Sequence, residues 1–590
     1  MGQLVSLVVE LQRRRVFRAL VAYGIAAFAV LQIIEPIMHA LHWPDAVLSY
    51  VVAALAVGFP VVVSLAWIFD VKTGRIERTP AAAAPGGLRG ARLALVLVGI
   101  GVLAATPGTV WYFLVRGIAK PTTSSSQTTG KLMPSVAVLP FVNLSSDKEQ
   151  EYFSDGITEE ILNALAQVDG LNVVGRTSSF YFKGKNEDLA SIAAKLHVST
   201  LLEGSVRKSG DRVRITAQLI NAADGYHLWS KQYDRDLTDI FKVQAELATA
   251  VVEALKVKLL PGAALSSKVR PARNPETYRH FLLGRSLALV GTEEGNRRAV
   301  TALEKAVALE PSYVPAWEWL AIARGDIALD APRAEVQPQA RDALDAAERA
   351  IALDPEYAGG YAVRGWIRSQ FFWDWARAQN DLERALALSS RTELALQLYA
   401  TLVQKLGRLK EALATQRKVI EIDPLSVYAW MNLGGYLMQD GQLVAARDAF
   451  GRSQEISPDN VLAAKSLAAI ELLQGHAAKA LVAIEKVPGE VDRLMLVSIA
   501  QHEMGHARES RQALDALAAK EGGPQGNIAY RVALVHAWRG ERDSAFEWLE
   551  RAYVRHDLEL RWLKIDPFLR NLRADPRYTA LLRKMNLPLD

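Results

Sequence analysis

The 590-residue sequence contains no cysteine. Disulfides, thiol nucleophiles and thiolate metal sites are excluded, while the compartment stays open, because a cysteine-free chain suits oxidising and reducing surroundings alike. An excess of charge is lacking too. The 69 Lys and Arg nearly balance the 64 Asp and Glu, leaving a net charge of +5. No block of the chain reads as a basic arm, so a nucleic-acid partner is not expected. No catalytic constellation stands out, and no cofactor or metal motif survives inspection. Apolar residues, in contrast, are plentiful at half the chain, and the length allows several domains.

Much of the apolar content lies before residue 120. Three stretches are each close to the ~20 residues that cross a hydrocarbon core. They predict transmembrane helices over 16–41, 47–69 and 93–115. Pro60 and Pro107 fall inside the second and third, where neighbouring helices can satisfy the freed carbonyl. Arg13, Arg14, Arg15 and Arg18 flank or open the first stretch, and Lys72, Arg75, Arg78, Arg89 and Arg92 lie in the loop 70–92. The short turn 42–47 has no Lys or Arg. The basic segments 1–15 and 70–92 are therefore expected in the cytoplasm, and everything after 115 in the periplasm of a bacterial inner-membrane, multi-pass protein. Arg116, Lys120 and Lys131 pull the other way. Residues 116–132 are rich in Ser and Thr and read as a flexible tether.

Two apparent motifs in this region have plainer readings. Gly99-Ile100-Gly101-Val102-Leu103-Ala104 spells a dinucleotide fingerprint, yet no strand precedes it, and small residues inside a span serve helix packing. Glu35 and His39 flank Pro36 and mark a helix exit at the interface.

The stretch 133–262 changes character. Val136 to Phe141 is a short apolar run suited to a buried strand. A helix is predicted over Phe153 to Val168, capped by Ser154 or Asp155. A strand over Leu171–Gly175, a helix over Leu189–Leu196 and a strand over Thr200–Lys208 follow. The period then becomes two: Val213, Ile215, Ala217 and Leu219 alternate with Arg212, Arg214, Thr216 and Gln218. A last strand carries Trp229 and Tyr233, and an amphipathic helix runs from Ile240 to Leu255. The expected domain is α/β, its sheet parallel at first and a meander afterwards.

Four runs resemble the TolB amino-terminal-like domain: Phe153-Ser154-Asp155-Gly156-Ile157-Thr158-Glu159-Glu160, Arg176-Thr177-Ser178-Ser179-Phe180, Leu202-Glu203-Gly204-Ser205-Val206-Arg207 and His227-Leu228-Trp229-Ser230. Gln218-Leu219-Ile220 and Tyr233-Asp234-Arg235 agree with it. In that family the domain is often followed by tetratricopeptide repeats and preceded by a cytoplasmic output: a winged helix, a class III adenylate cyclase or a kinase. The resemblance implies an envelope domain linked to signalling or assembly. It carries no activity with it, and no output module stands in the short segment 1–15. Asp155, Arg176, Glu203 and Arg207 suggest a polar pocket. The simpler roles are a helix cap for Asp155 and solvent-side sheet positions for Glu203 and Arg207, with Gly156 and Gly204 allowing close backbone approach.

From Pro275 the sequence is helical with a fixed period. Gly407, Gly441 and Gly475 are 34 residues apart, as are Pro424 and Pro458. That is the tetratricopeptide (TPR) period, and Trp430, Leu433, Gly434, Ala446 and Phe450 fill the unit's signature positions, with Ala480 repeating one of them. An all-α TPR solenoid of roughly seven or eight helix pairs is expected over 275–556, with an insertion near 326–337 and capping helices over 557–590. The curved groove of such an array receives protein partners.

His502-Glu503-Met504-Gly505-His506 is a literal HExxH. A zinc protease needs both histidines on one continuous helix. Gly505 aligns with the turn glycines of the repeat, so one helix ends at His502 and the next begins at His506. The sequence thus predicts a multidomain chain: transmembrane helices, a small α/β domain and a TPR solenoid. Its expected role is a non-enzymatic protein-interaction scaffold without cofactor or metal, of open oligomeric state. The alternative is a sensor passing an envelope signal to a cytoplasmic cyclase, kinase or transcription partner.

Overall fold

The computed structural model describes residues 134–168, 170–255, 272–458, 462–521 and 528–589, a hairpin of β1 (Phe69–Lys72) and β2 (Arg75–Arg78), and a few separate positions before residue 56. Among the described residues no helix is long and apolar enough to cross a membrane. The spans expected over 16–41, 47–69 and 93–115, and the tether 116–132, lie outside them apart from those positions. Phe69, expected to close the second span, instead opens β1, which pairs antiparallel with β2. Residues 1–131 and 132–590 are separate units.

The unit 132–590 begins with the expected α/β body. Strand β3 (Ser135–Val138) runs parallel to β5 (Asn172–Val173) on one side and β6 (Thr200–Ser209) on the other. The short β4 (Val142–Asn143) continues along β6. From β6 the chain turns antiparallel into β7 (Arg212–Asn221) and then β8 (His227–Asp236). Parallel neighbours need a crossover, which α1 (Glu151–Ala166) and α3 (Leu189–Leu196) provide. α1 and α4 (Ile240–Ala254) cover one sheet face, burying Val138, Phe153, Ile157, Ile161, Ile215, Leu219, Leu247 and Val251 in a common core. α3 covers the other face through Ile192 and Leu196 against Ala137, Leu139 and Leu201.

Two local expectations need correction. α1 starts at Glu151, so Ser154 and Asp155 lie inside it and cap nothing. Asp147 takes that role one turn earlier, accepting from Glu149 N ahead of the 3₁₀ turn Lys148–Gln150, and the chain coils sooner than expected. The strand expected to reach Gly175 stops at Val173, because Arg176–Phe180 folds into a short helix, α2.

The second part of this unit is a solenoid of eight antiparallel helix pairs among the described residues. The pairs are α5 (Pro275–Ala288) with α6 (Glu293–Leu309), α7 (Val314–Asp330) with α8 (Arg333–Leu353), α9 (Ala358–Phe371) with α10 (Trp375–Leu388), and α11 (Glu393–Lys405) with α12 (Leu409–Ile422). They continue with α13 (Val427–Gln439) and α14 (Leu443–Ile456), α15 (Leu462–Leu473) and α16 (Ala477–Ile484), α17 (Glu490–Glu503) and α18 (Ala507–Ala518), and α19 (Ile528–Trp538) and α20 (Arg542–Val554). The expected insertion lengthens α7 and α8 to 17 and 21 residues. First helices of successive pairs touch one another along the array, the arrangement that curls a solenoid with those helices inward.

The signature residues act as the period requires. Gly441 ends α13 at φ +82°, which a side chain would strain. Gly407 and Gly475 repeat that conformation. A Cβ on Gly434 would stand 2.7 Å from the Phe450 ring, so the glycine is what lets α14 close on α13. Leu433 and Ala446 complete that small core, and Ala480 is fully buried in the next. Trp430 Nε1 donates to the Pro424 carbonyl at 2.8 Å. Trp317 binds the Pro311 carbonyl, and Tyr361 that of Pro355, over the same six-residue step. Pro458 follows the end of α14, as Pro424 follows α12. The segment expected to cap the array folds as two 3₁₀ helices, Leu558–Trp562 and Pro567–Leu572, and then α21 (Pro576–Lys584).

Candidate interaction site

The α/β body and the solenoid meet along two seams. The first joins α1 to α5. On α5, Tyr278, Phe281, Leu282 and Arg285 recur at helical spacing and are all buried. The three apolar members enter the core of the α/β body, and a Cβ on Gly156 would stand 2.6 Å from Leu282. Gly156 therefore does permit a close approach, between α1 and the first repeat. Arg285, 3% exposed, reaches Glu160 at 2.6 Å, Glu159 at 3.0 Å and the Gly156 carbonyl at 3.2 Å. Burial works against its charge, and the two carboxylates outweigh that, holding the guanidinium pKa above its ordinary value.

Next to this seam Glu318, near the start of α7, is buried and receives the Tyr357 hydroxyl. Burial raises its carboxyl to about 7, against the help of Tyr357 and Arg285.

The second seam joins α2 to the turn between α12 and α13. Gly175 N donates to the Ile422 carbonyl at 2.8 Å. Ser178 N donates to Asp423 Oδ1 at 2.6 Å, and Leu425 N donates to Ser178 Oγ at 2.7 Å. Leu425 and Ile456 join the core that includes Phe182 and Ile192. Alongside, Arg391 Nη2 donates to Asn172 Oδ1 at 2.8 Å. Arg176 is ion-paired with Glu159 and lies over the Phe180 ring. It lines an open cleft of about 360 Å³ shared with Thr177, Phe180, Tyr181, Leu425 and Ile456.

The structure thus divides the four residues suggested as a polar pocket. Arg176 belongs to the seam with the repeats. Asp155 binds Lys183 at 2.6 Å, its carboxyl raised by burial despite that partner. Glu203 sits on β6 opposite Gln218, and the exposed Arg207 donates to the Leu144 carbonyl. A Cβ on Gly204 would stand 2.3 Å from the Thr216 carbonyl, so its role is close strand approach. Trp229 pairs across the sheet with Leu219 and packs on the main core.

The chain's own C-terminal segment occupies the other end of the first helices. His556 Nε2 bonds the Phe371 carbonyl at 2.7 Å, its ring stacked on Trp373. Trp562 lies under the Lys405 ammonium at the end of α11. Tyr530, on α19, donates through its amide to Asp557 and through its hydroxyl to Asp566. The chain's own segments therefore pack at both ends of the first helices expected to line the groove. At the start of α13, next to the second seam, Tyr428 is 63% exposed, and further along a Cβ on Gly435 would meet nothing.

The HExxH run behaves as its alignment implied. His502 lies in the last turn of α17, which ends at Glu503; Gly505 takes φ +79°, and His506 precedes α18. His506 bonds Gln501, and Glu503 accepts from Trp538. The two histidines flank a turn.

Sequence reasoning missed Arg285, Glu318, Glu393 and Asp423. Arg285 was findable, since a lone charge on an apolar stripe implies a buried partner. Asp423 was hidden because an Asp before Pro424 reads as an ordinary turn residue.

Residues 395–424, covering most of α11 and α12, match the tetratricopeptide repeat family. Over 189 residues the chain is 42% identical to "Putative adenylate cyclase 3" of Rhizobium meliloti (strain 1021), which is 32% of this chain and 32% of that protein. The chain thus spans about a third of the curated relative's length. Among solved structures it is similar to PilW, a widely conserved type IV pilus biogenesis factor, at 23% identity over 34% of this chain and 93% of that one, with a TM-score of 0.30. A thermophilic TPR protein of Thermus thermophilus aligns at 19% identity over 33% and 99%, with a TM-score of 0.29. The chain carries tetratricopeptide repeats and a small α/β region.

Proposed function

We propose that the protein is a membrane-anchored interaction scaffold that presents the α/β body and the TPR array as one unit to protein partners in the periplasm. The observation that carries this reading is the construction of the site. The buried ion pairs and hydrogen bonds of Arg285, Glu159, Glu160, Ser178 and Asp423 hold the two parts together, and the exposed Tyr428 on α13 stands free beside them. Tyr428, Asn432 and Gly435 recur at helical spacing there and form the proposed docking stripe. The anchor is the set of three apolar stretches before residue 120, with the basic segments 1–15 and 70–92 in the cytoplasm. The TolB-like reading of 133–262 belongs to the same proposal, supported by its motifs and its strand order.

The test has two arms. An alkaline phosphatase fused after Asp590 is expected to be active in cells, and activity of a cytoplasm-only reporter there would overturn the orientation. Photo-crosslinking from position 428 in the full chain is expected to capture protein partners, and Asn432→Arg to abolish capture at unchanged helicity. Capture unaffected by Asn432→Arg would reject the docking stripe.

The sequence shared with a protein called an adenylate cyclase favours a second reading, in which the unit senses an envelope signal for a cytoplasmic cyclase partner. Changed cyclic AMP in cells lacking the protein would favour it over the passive scaffold.

A further inference from the structure

The two seams are built differently. The first is a continuous apolar core in which α5 is as much part of the α/β body as of the array. The second, α2 against the α12–α13 turn, shares a smaller apolar core through Leu425 and Ile456 and adds three hydrogen bonds, two of which involve Ser178, with Arg391–Asn172 alongside. At its centre Asp423 is 0% exposed. One of its oxygens accepts from Ser178 N, with the Thr177 hydroxyl beside the same carboxyl. The other, Oδ2, is buried and has no hydrogen-bond partner of ordinary geometry. Against it lies a second carboxyl, that of Glu393 at the start of α11.

Asp423 is out of water and Glu393 is half-buried beside it; two carboxylates so placed repel, and neither can donate. Adding one proton changes the contact. A protonated Glu393 becomes a donor, Asp423 Oδ2 gains its missing partner, and one negative charge disappears from the seam. The charged groups facing the pair do not remove this need. Arg176, on α2, is committed to Glu159, and Arg391, two residues before Glu393, to Asn172.

We propose that Glu393 and Asp423 share one proton, and that this proton latches α2 of the α/β body to the α12–α13 turn. The α/β body is then a strut fixed permanently to the first repeat and reversibly to the turn between the fourth and fifth. Loss of the proton releases the far end, opens the cleft lined by Arg176 and Leu425, and frees the curvature of the repeats between the two attachments.

The sign follows from which state holds the proton. Burial, and then the neighbouring Asp423, raise Glu393 well above its ordinary value in the latched state. Once released, Glu393 meets water and ionises as a free glutamate does. The latched state therefore binds the extra proton. It is favoured at low pH and weakens as pH rises above the free value, by up to about tenfold per pH unit for a single proton.

The chain lacks cysteine, so two spin labels can be placed cleanly, on Ala194→Cys in α3 and Lys418→Cys in α12, with the full-length chain otherwise unchanged. One sharp distance is expected at about pH 5 and a broad, longer distribution at about pH 9. With Glu393→Gln, which carries a donor without a charge, the sharp distance is expected at both. As a second measurement, amide exchange of the unlabelled protein should show protection factors at Gly175, Ser178 and Leu425 falling with pH while amides in α5 keep theirs. A wild-type distance and protection pattern that do not change with pH would overturn the proposal. So would a Glu393→Gln chain that opens with pH as the wild type does.

Discussion

Arg285, on the first helix of the solenoid, donates to Glu160 of the α/β body across 2.6 Å, and its Nε lies 3.0 Å from Glu159. This ion triad ties together two stretches that are 125 residues apart in sequence. It makes the α/β body and the repeats one folded unit, because a charge so deeply buried is tolerated only with its partners in place.

Removing one partner leaves the others desolvated and unpaired. Arg285→Met is expected to destabilise the full chain by about 3–5 kcal/mol, read from urea unfolding followed by tryptophan fluorescence. Adding Glu159→Met to that variant should recover part of the loss, since an apolar pair of similar size avoids the desolvation penalty. Equal stability of the single variant and the wild type would mean the triad contributes nothing to the fold.

The Trp430–Pro424 contact separates shape from hydrogen bonding at a signature position. Trp430→Phe keeps most of the packing and loses the bond to the Pro424 carbonyl, with an expected cost of about 1 kcal/mol. Gly434→Val forces a branched side chain toward Phe450 and should cost about 1–3 kcal/mol through overpacking. Combining it with Phe450→Leu should return stability. Failure of that rescue would show that the glycine is needed for the backbone rather than for the approach of the ring.

Much of this fold could be read from the chain. The repeat period was legible because Gly441, Trp430 and Phe450 each perform one local task, and the task recurs wherever the residue does. The alternation of Val213, Ile215, Ala217 and Leu219 marked β7 for the same reason, since one buried face dictates a period of two. The seams were not legible. Ser178 and Asp423 are 245 residues apart, and neither carries a pattern until the fold brings them together. Asp155 misled because a capping residue is recognised only relative to the true helix start, which Asp147 sets earlier. The spans before residue 120 are read from hydropathy and charge, which register length and polarity but no packing partner.

Glu318 provides a pH test separate from the latch. Its carboxyl rises from 4.5 to about 7 in the folded protein, chiefly through burial. The folded state thus holds a proton that the unfolded chain releases. This contribution is fully present below the unfolded pKa and is lost as pH rises toward about 7, for a total of about 3 kcal/mol. Glu318→Gln should flatten that part of the stability–pH curve. Thermal unfolding of both proteins at about pH 5 and about pH 8 reads it out. Parallel curves would place the titration elsewhere.

Lys405 tests the other end of the array. Its side chain is 2% exposed, its ammonium meets Gln370 at 2.9 Å, and Trp562 of the C-terminal segment lies 5.3 Å away. Burial pushes its pKa well below the usual lysine value, and Arg561 adds to that. The unfolded chain therefore binds a proton that the folded state resists, so stability should rise with pH up to the free lysine value near ~10.4. Lys405→Met removes that opposition and leaves Gln370 without one donor. The gain from losing the charge should win near neutral pH, stabilising the chain by about 1–3 kcal/mol, and should shrink as the pH approaches ~10. If Lys405→Met instead destabilises the chain at every pH, the lysine's hydrogen bond and its contact with Trp562 outweigh its burial. Lys405 would then join His556 and Tyr530 among the contacts that hold the C-terminal segment on the array.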